Sequence, residues 1–186
     1  MFIQTEATPN PATVKFIPGE TVLPAGTSSV DFATAQAAAG VSPLAERLFK
    51  VDGVAGVFLG SDFVSVTKTE VREWLLLKPL ILGALFEHFS TRQPVLLSAP
   101  APFVPNEEDD EIVTQIKEIL DTQIRPSVAR DGGDIVFDSY DKGIVFLRMH
   151  GACAGCPSST VTLKNGIESM LRHYIPDVLE VRAVQD

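Results

Sequence analysis

Cysteine is scarce in this chain of 186 residues: there are two, Cys153 and Cys156, beside three histidines and one tryptophan. So few cysteines exclude a disulfide framework, and a hydrophobic share of 45% supplies a core without one. An excess of positive charge is also missing. The formal net charge is −9, which argues against nucleic acid, because phosphate contacts need clustered Lys and Arg. No basic cluster or apolar stretch of the secretory kind opens the sequence, and the start is not the Arg- and Ser-rich sequence of a transit peptide. The most apolar run, WLLLKPLILGALFEHF from Trp74, is interrupted by Lys78 and Pro79 and is too short to span a bilayer. The expectation is a soluble, cytoplasmic protein without a membrane partner, whose thiols stay reduced or bind metal.

What is present falls into two halves. Residues 1–106 carry nine acids and seven bases, and residues 107–186 carry fifteen acids and eight bases. Between them, prolines at 94, 100, 102 and 105 are spaced by small residues and followed by the acidic run EEDDE. That composition predicts an extended, semi-rigid linker over 91–106 between domains at 1–90 and 107–186. In the first domain, FIQTE and TVKFIPG read as strands around the turn signal TPNP. Ser42 and Pro43 open a short helix, VAGVFLG and DFVSVTK form a hairpin, and LILGALFEHF closes with a helix. The order is ββαββα. Its one histidine, His88, is read as a surface or boundary residue and not as a ligand.

In the second domain, Ile112, Ile116, Ile119, Leu120 and Ile124 recur at three- and four-residue steps and predict an amphipathic helix. The acids of EEDDE then sit in its first turn, where the helix dipole favours them. DGGD at 131–134 is a turn, with Asp131 and Asp134 shaping it. IVFDSY and GIVFLRM flank DKG as a hairpin, TVTLKNGIESMLRHY is a helix, and VLEVRAV is a last strand. The order is αββαβ. The fold class is therefore α+β: two small sandwich domains joined by a Pro-rich linker.

The two cysteines lie in MHGACAGCPSST, at 149–160, between the end of a strand and the start of a helix. Pro157 suits the first helical position, and the free amides after it favour negative charge, lowering a thiolate pKa or supporting an anionic metal centre. A thioredoxin-like redox pair fits this order of elements poorly, since a hairpin precedes it and the proline follows both cysteines. Metal fits better. A closed zinc site takes four ligands, and an iron–sulfur cluster is commonly held by four thiolates. One chain supplies two, with His150 as a weak third candidate, so two chains about a twofold axis complete the set.

Taken together, MFIQTEATPNP, KFIPG, SPLA, VFLG, DFVSVTK and LLKP in the first domain resemble the Nfu N-terminal domain. IRPSVARDGGDIVF, GIVFLRMHGACAGCPSSTVTLKNGIE and YIP resemble the NifU C-terminal domain. The chain is similar over nearly its full length to the two-domain Nfu iron–sulfur carriers of mitochondria and α-proteobacteria. The resemblance implies that Cys153 and Cys156 bind iron, and that a homodimer bridges a [4Fe–4S] cluster, with [2Fe–2S] as the alternative four thiolates also fit. It implies a non-catalytic carrier that takes clusters from upstream assembly factors and hands them to apo-proteins of the lipoyl synthase or aconitase type. A bacterial cytoplasm or, for a trimmed form, the mitochondrial matrix is the implied location. The competing readings are a thiol–disulfide oxidoreductase and a structural zinc module.

Overall fold

A computed structural model describes residues 2–25, 27–98, 110–154 and 157–184, without the side chains of residues 157–159. The chain divides into two compact units, Met1–Phe103 and Val104–Asp186.

The first unit is a five-stranded antiparallel sheet with helices against it. Strands β1 (Gln4–Ala7), β2 (Thr13–Ile17), β3 (Val30–Phe32), β4 (Val54–Leu59) and β5 (Val64–Lys68) lie in the order β1-β2-β5-β4-β3. Alternation places Val14 and Phe16, Val57 and Leu59, and Val64 and Val66 in one core. Helix α2 (Pro43–Phe49) starts as its sequence dictates: the Ser42 hydroxyl accepts from the Ala45 amide at 3.1 Å, and Pro43 takes the first turn. Strand β3 and the single turn α1 (Ala35–Ala38) are additions to the expected ββαββα order. Both are shorter than any periodicity window, and β3 exists because β4 pairs with it through Val30 and Leu59.

Helix α3 (Trp74–Ser90) begins before Pro79, earlier than the expected start at Leu80. Proline there forfeits only one early intrahelical bond, and burial of Leu77, Ile81 and Leu85 offsets the loss. His88 corrects the reading of it as a surface or boundary residue: it is 0% exposed, because it continues that same inward stripe. The first residues of the Pro-rich stretch are docked on this unit. The Ser42 hydroxyl donates to the Val95 carbonyl at 2.6 Å, the Leu97 amide donates to the Val41 carbonyl at 2.8 Å, and Val95 and Leu96 pack on the core. Residues 99–109, with most of the EEDDE run, lie outside the described residues.

In the second unit, α4 (Glu111–Ile119) runs through a π turn (Leu120–Ile124) into α5 (Arg125–Arg130). The helix thus extends past the expected end at Ile124. Pro126 explains the π turn, since its ring cannot sit against the carbonyl four residues earlier in a regular helix. Ile116, Leu120, Ile124 and Val128 stay on one buried stripe throughout. Strands β6 (Gly133–Asp141) and β7 (Ile144–Gly151) form the expected hairpin, turning at Lys142 and Gly143 with φ of 47° and 87°. Helix α6 (Pro157–Tyr174) then leads to β8 (Glu180–Val184), which pairs parallel to β7. Both units mix helices with sheets, so the α+β class holds. Among the described residues no helix is long and apolar enough to cross a membrane.

Candidate metal centre

The cysteine loop is built by two chain segments twenty residues apart in sequence. The β6–β7 register sets Gly133 opposite Gly151 and Asp134 opposite His150. The DGGD turn and the end of the cysteine strand are therefore neighbours. Gly132 has a φ of 82°, a conformation glycine adopts without strain, and its carbonyl accepts from the Ala152 amide at 3.1 Å. Gly133 is a glycine for a different reason. A Cβ there would lie 2.6 Å from the Cys153 Sγ and 2.7 Å from the His150 carbonyl oxygen. Only a residue without a side chain lets the thiol settle on this strand.

Cys153 is a free thiol, 6% exposed, and belongs to the core of the unit. From the start of α6 the Thr160 hydroxyl donates to the Cys153 carbonyl at 3.3 Å, tying the loop to the helix. Burial first, then the carboxylates of Asp131 and Asp134, push the Cys153 thiol up to about 12. The lowering expected from the helix N-terminus does not prevail, because desolvation and two negative charges act against the thiolate. Cys156 lies outside the described residues.

Asp131 and Asp134 take different roles in the turn. Asp131 ends α5, its amide donating to the Val128 carbonyl at 3.0 Å. Asp134 is buried, and Arg125 grips both its oxygens, Nε at 2.8 Å and one terminal nitrogen at 2.7 Å. Asp134 also accepts from the Ile135 amide at 2.8 Å, while Arg125 makes a second pair with Asp121 at 2.9 Å. This fork raises the Arg125 pKa further. Sequence reasoning missed Arg125. The visible signal is the Asp121–Arg125 spacing of four, at the end of a helix whose apolar periodicity stops at Ile124. His150 does not join Cys153: alternation puts it on the face of exposed Arg148, while Leu147 and Met149 face the core that Cys153 shares. Among the described residues no three His, Cys, Asp or Glu side chains converge on a metal position.

His88, in the first unit, is buried and neither ring nitrogen has a hydrogen-bond partner among the described residues. Burial holds its pKa low, with the Arg47 charge adding to this and the Gln93 backbone partly opposing it.

A hairpin and a helix N-terminus closing on one buried thiol, in a chain that also carries a separate α+β unit, define the class. The family model described as NifU-like domain matches residues 116–182, and the one described as scaffold protein Nfu/NifU N terminal matches residues 3–92. Among curated proteins, the chain is 52% identical over 188 residues to "NFU1 iron-sulfur cluster scaffold homolog, mitochondrial" of Drosophila willistoni, covering 100% of this chain and 64% of the relative. The protein of the same name from Homo sapiens is 50% identical and covers 100% of this chain and 73% of its own length. The chain thus spans less than two thirds of the fly relative. A solution NMR structure of the NifU-like protein from Saccharomyces cerevisiae is 26% identical, covering 53% of this chain and 86% of that chain, with a TM-score of 0.48. The chain belongs to the Nfu/NifU family.

Proposed function

We propose that this protein is an iron–sulfur cluster carrier whose Cys153 and Cys156 each ligate iron, two chains together enclosing one [4Fe–4S] cluster. The observation that carries the reading is the placement of Cys153, seated between the end of β7 and the start of α6 in a chain of the Nfu/NifU family. Two thiols per chain are half of a four-thiolate set, so a homodimer is the simplest complete site. The cluster is cargo. Client thiolates replace the carrier's thiolates one at a time, and the transfer makes and breaks only iron–sulfur bonds, so no turnover chemistry is assigned to the chain.

The relatives' names include the words iron-sulfur cluster scaffold, which supports assembly factors upstream and apo-proteins downstream as partners. Lipoyl synthase- and aconitase-type clients rest on the family resemblance. The same names include the word mitochondrial and support the matrix alternative; the bacterial cytoplasmic reading rests on the resemblance alone. The burial of Cys153 speaks against a thiol–disulfide oxidoreductase, whose attacking cysteine needs to be accessible.

The test is anaerobic reconstitution with iron and sulfide, read by Mössbauer spectroscopy and by mass in solution. Four irons per dimer, lost in Cys153→Ala and in Cys156→Ala, is the expected result. A colourless monomer, or a zinc content that chelation removes with unfolding, sinks the reading.

A further inference from the structure

The two carboxylates of the DGGD turn flank Gly132 and Gly133, yet only one of them is neutralised. Asp134 is buried and gripped by Arg125. Asp131 is exposed, and among the described residues its side chain has no hydrogen bond and no ion pair. Arg130, its neighbour in the last turn of α5, has contacts of its own.

Both settings of Asp131 disfavour a negative charge. It is the C-cap of α5, where unpaired carbonyls make the helix end negative and a cation is the better occupant. It also lies beside the cysteine loop. The next residue, Gly132, accepts from the Ala152 amide at 3.1 Å, and Gly133 lies directly against the Cys153 sulfur. Among the described charges, Asp131 acts most strongly on that sulfur and Asp134 next. The turn itself does not call for the charge, since asparagine has the same shape and serves turns equally well. The cargo is what gives the charge a consequence. An iron–sulfur cluster bound by four thiolates is an anion. The N-terminus of α6 attracts it, and Asp131 repels it, once from each chain.

We infer that Asp131 is a release residue: its uncompensated carboxylate loosens the hold of the cysteine loop on the cluster and so speeds handover to a client. The inference rests on the carrier reading above. Each exchange breaks one bond between iron and a carrier sulfur and makes one between iron and a client sulfur. The client thiol's proton passes to the departing cysteine, and no electron is transferred. Asp131 is assigned no bond in this step. It acts through its charge, raising the energy of the loaded state relative to the state the cluster has left. The two acids of the turn thus have separate duties: Asp134 with Arg125 holds the shape of the loop, and Asp131 sets how firmly the cargo is kept.

The test loads the full chain anaerobically with iron and sulfide, then follows transfer of the cluster to excess dithiothreitol, a neutral dithiol, by loss of the visible sulfur-to-iron absorption. Asp131→Asn is expected to slow the loss by about fivefold, the effect of one exposed charge on a close neighbour. Asp131→Glu keeps the charge and should keep the wild-type rate. Asp141→Asn removes the same charge at the other end of β6 and should change nothing. In about 1 M potassium chloride the charge is screened, so the gap between wild type and Asp131→Asn should shrink below about twofold. The midpoint potential of the loaded cluster should be more positive in Asp131→Asn, since a negative neighbour opposes the added electron. The apo-protein of that variant should melt at an equal or higher temperature, because its helix end loses an unfavourable charge. Wild type and Asp131→Asn that load alike and release alike overturn the inference and leave the carrier reading standing; a wild type that takes up no cluster removes both. A slower release that salt does not alter, or a variant apo-protein that melts clearly lower, makes Asp131 a structural residue and also overturns it.

Discussion

Gly133 and Cys153 touch where a side chain would not fit: a methyl on Gly133 would lie 2.6 Å from the sulfur. Gly133→Ala is therefore expected to push the cysteine loop off its strand and cost the apo-protein about 1–3 kcal/mol, the range for overpacking a filled site. Iron and sulfide uptake should fall with it. Gly166→Ala on α6, where a Cβ meets nothing within 4 Å, is the control and should keep both stability and uptake. Thermal melts and iron content measure the two effects.

The Arg125–Asp134 fork holds the start of β6 against the helix before it. Arg125→Met leaves a buried carboxylate without its cation, close to Cys153. The expected cost is about 2–4 kcal/mol, somewhat below a fully buried pair because Arg125 is partly exposed. Arg125→Lys keeps the charge but not the two-pronged grip, and should recover only part of the loss. Denaturant unfolding of the apo-protein checks both, and equal stability of Arg125→Met and wild type would refute the assigned role.

Cys153 gives the apo-protein an alkaline limit. Its folded pKa is raised from 9.0 to about 12, so the folded state keeps a proton that the unfolded state releases. That stabilisation is complete below about pH 9 and is lost as the pH rises towards 12. The melting temperature should fall across this window, and Cys153→Ala should flatten the fall. An unchanged slope in the variant would contradict the burial of the thiol.

His88 sets a limit on the acid side. Its pKa lies below the ordinary 6.5 because it is buried, with Arg47 adding a like charge. The unfolded state therefore takes up a proton first, so the contribution is full above about pH 6.5 and disappears as the pH drops through the folded value. His88→Leu should lessen the loss of stability between neutral pH and pH 5, read by melts of the apo-protein; a parallel curve would count against it.

Much of the second unit could be read directly from its residues. The stripe from Ile116 to Ile124, the turn at Lys142–Gly143 and the strand–loop–helix order around the cysteines are local signals, encoded within ten or so residues. What lay beyond reading came from longer range. The inward turn of His88 needed α3 to begin before Pro79, and β3 needed β4 beside it. Arg125 became visible as a site residue only when α5 continued past a π turn that Pro126 imposes.

By itself the sequence determined the α+β class of both units and the residues with thiol chemistry, because periodicity, turn residues and the spacing of two cysteines are properties of the local chain. The tertiary structure alone decided that Gly133 seats Cys153, that Arg125 neutralises Asp134 beside it, and that the thiol is buried and holds its proton. Those facts depend on which strand lies against which loop. That pairing is fixed by the register of β6 on β7, which packing across the whole unit selects.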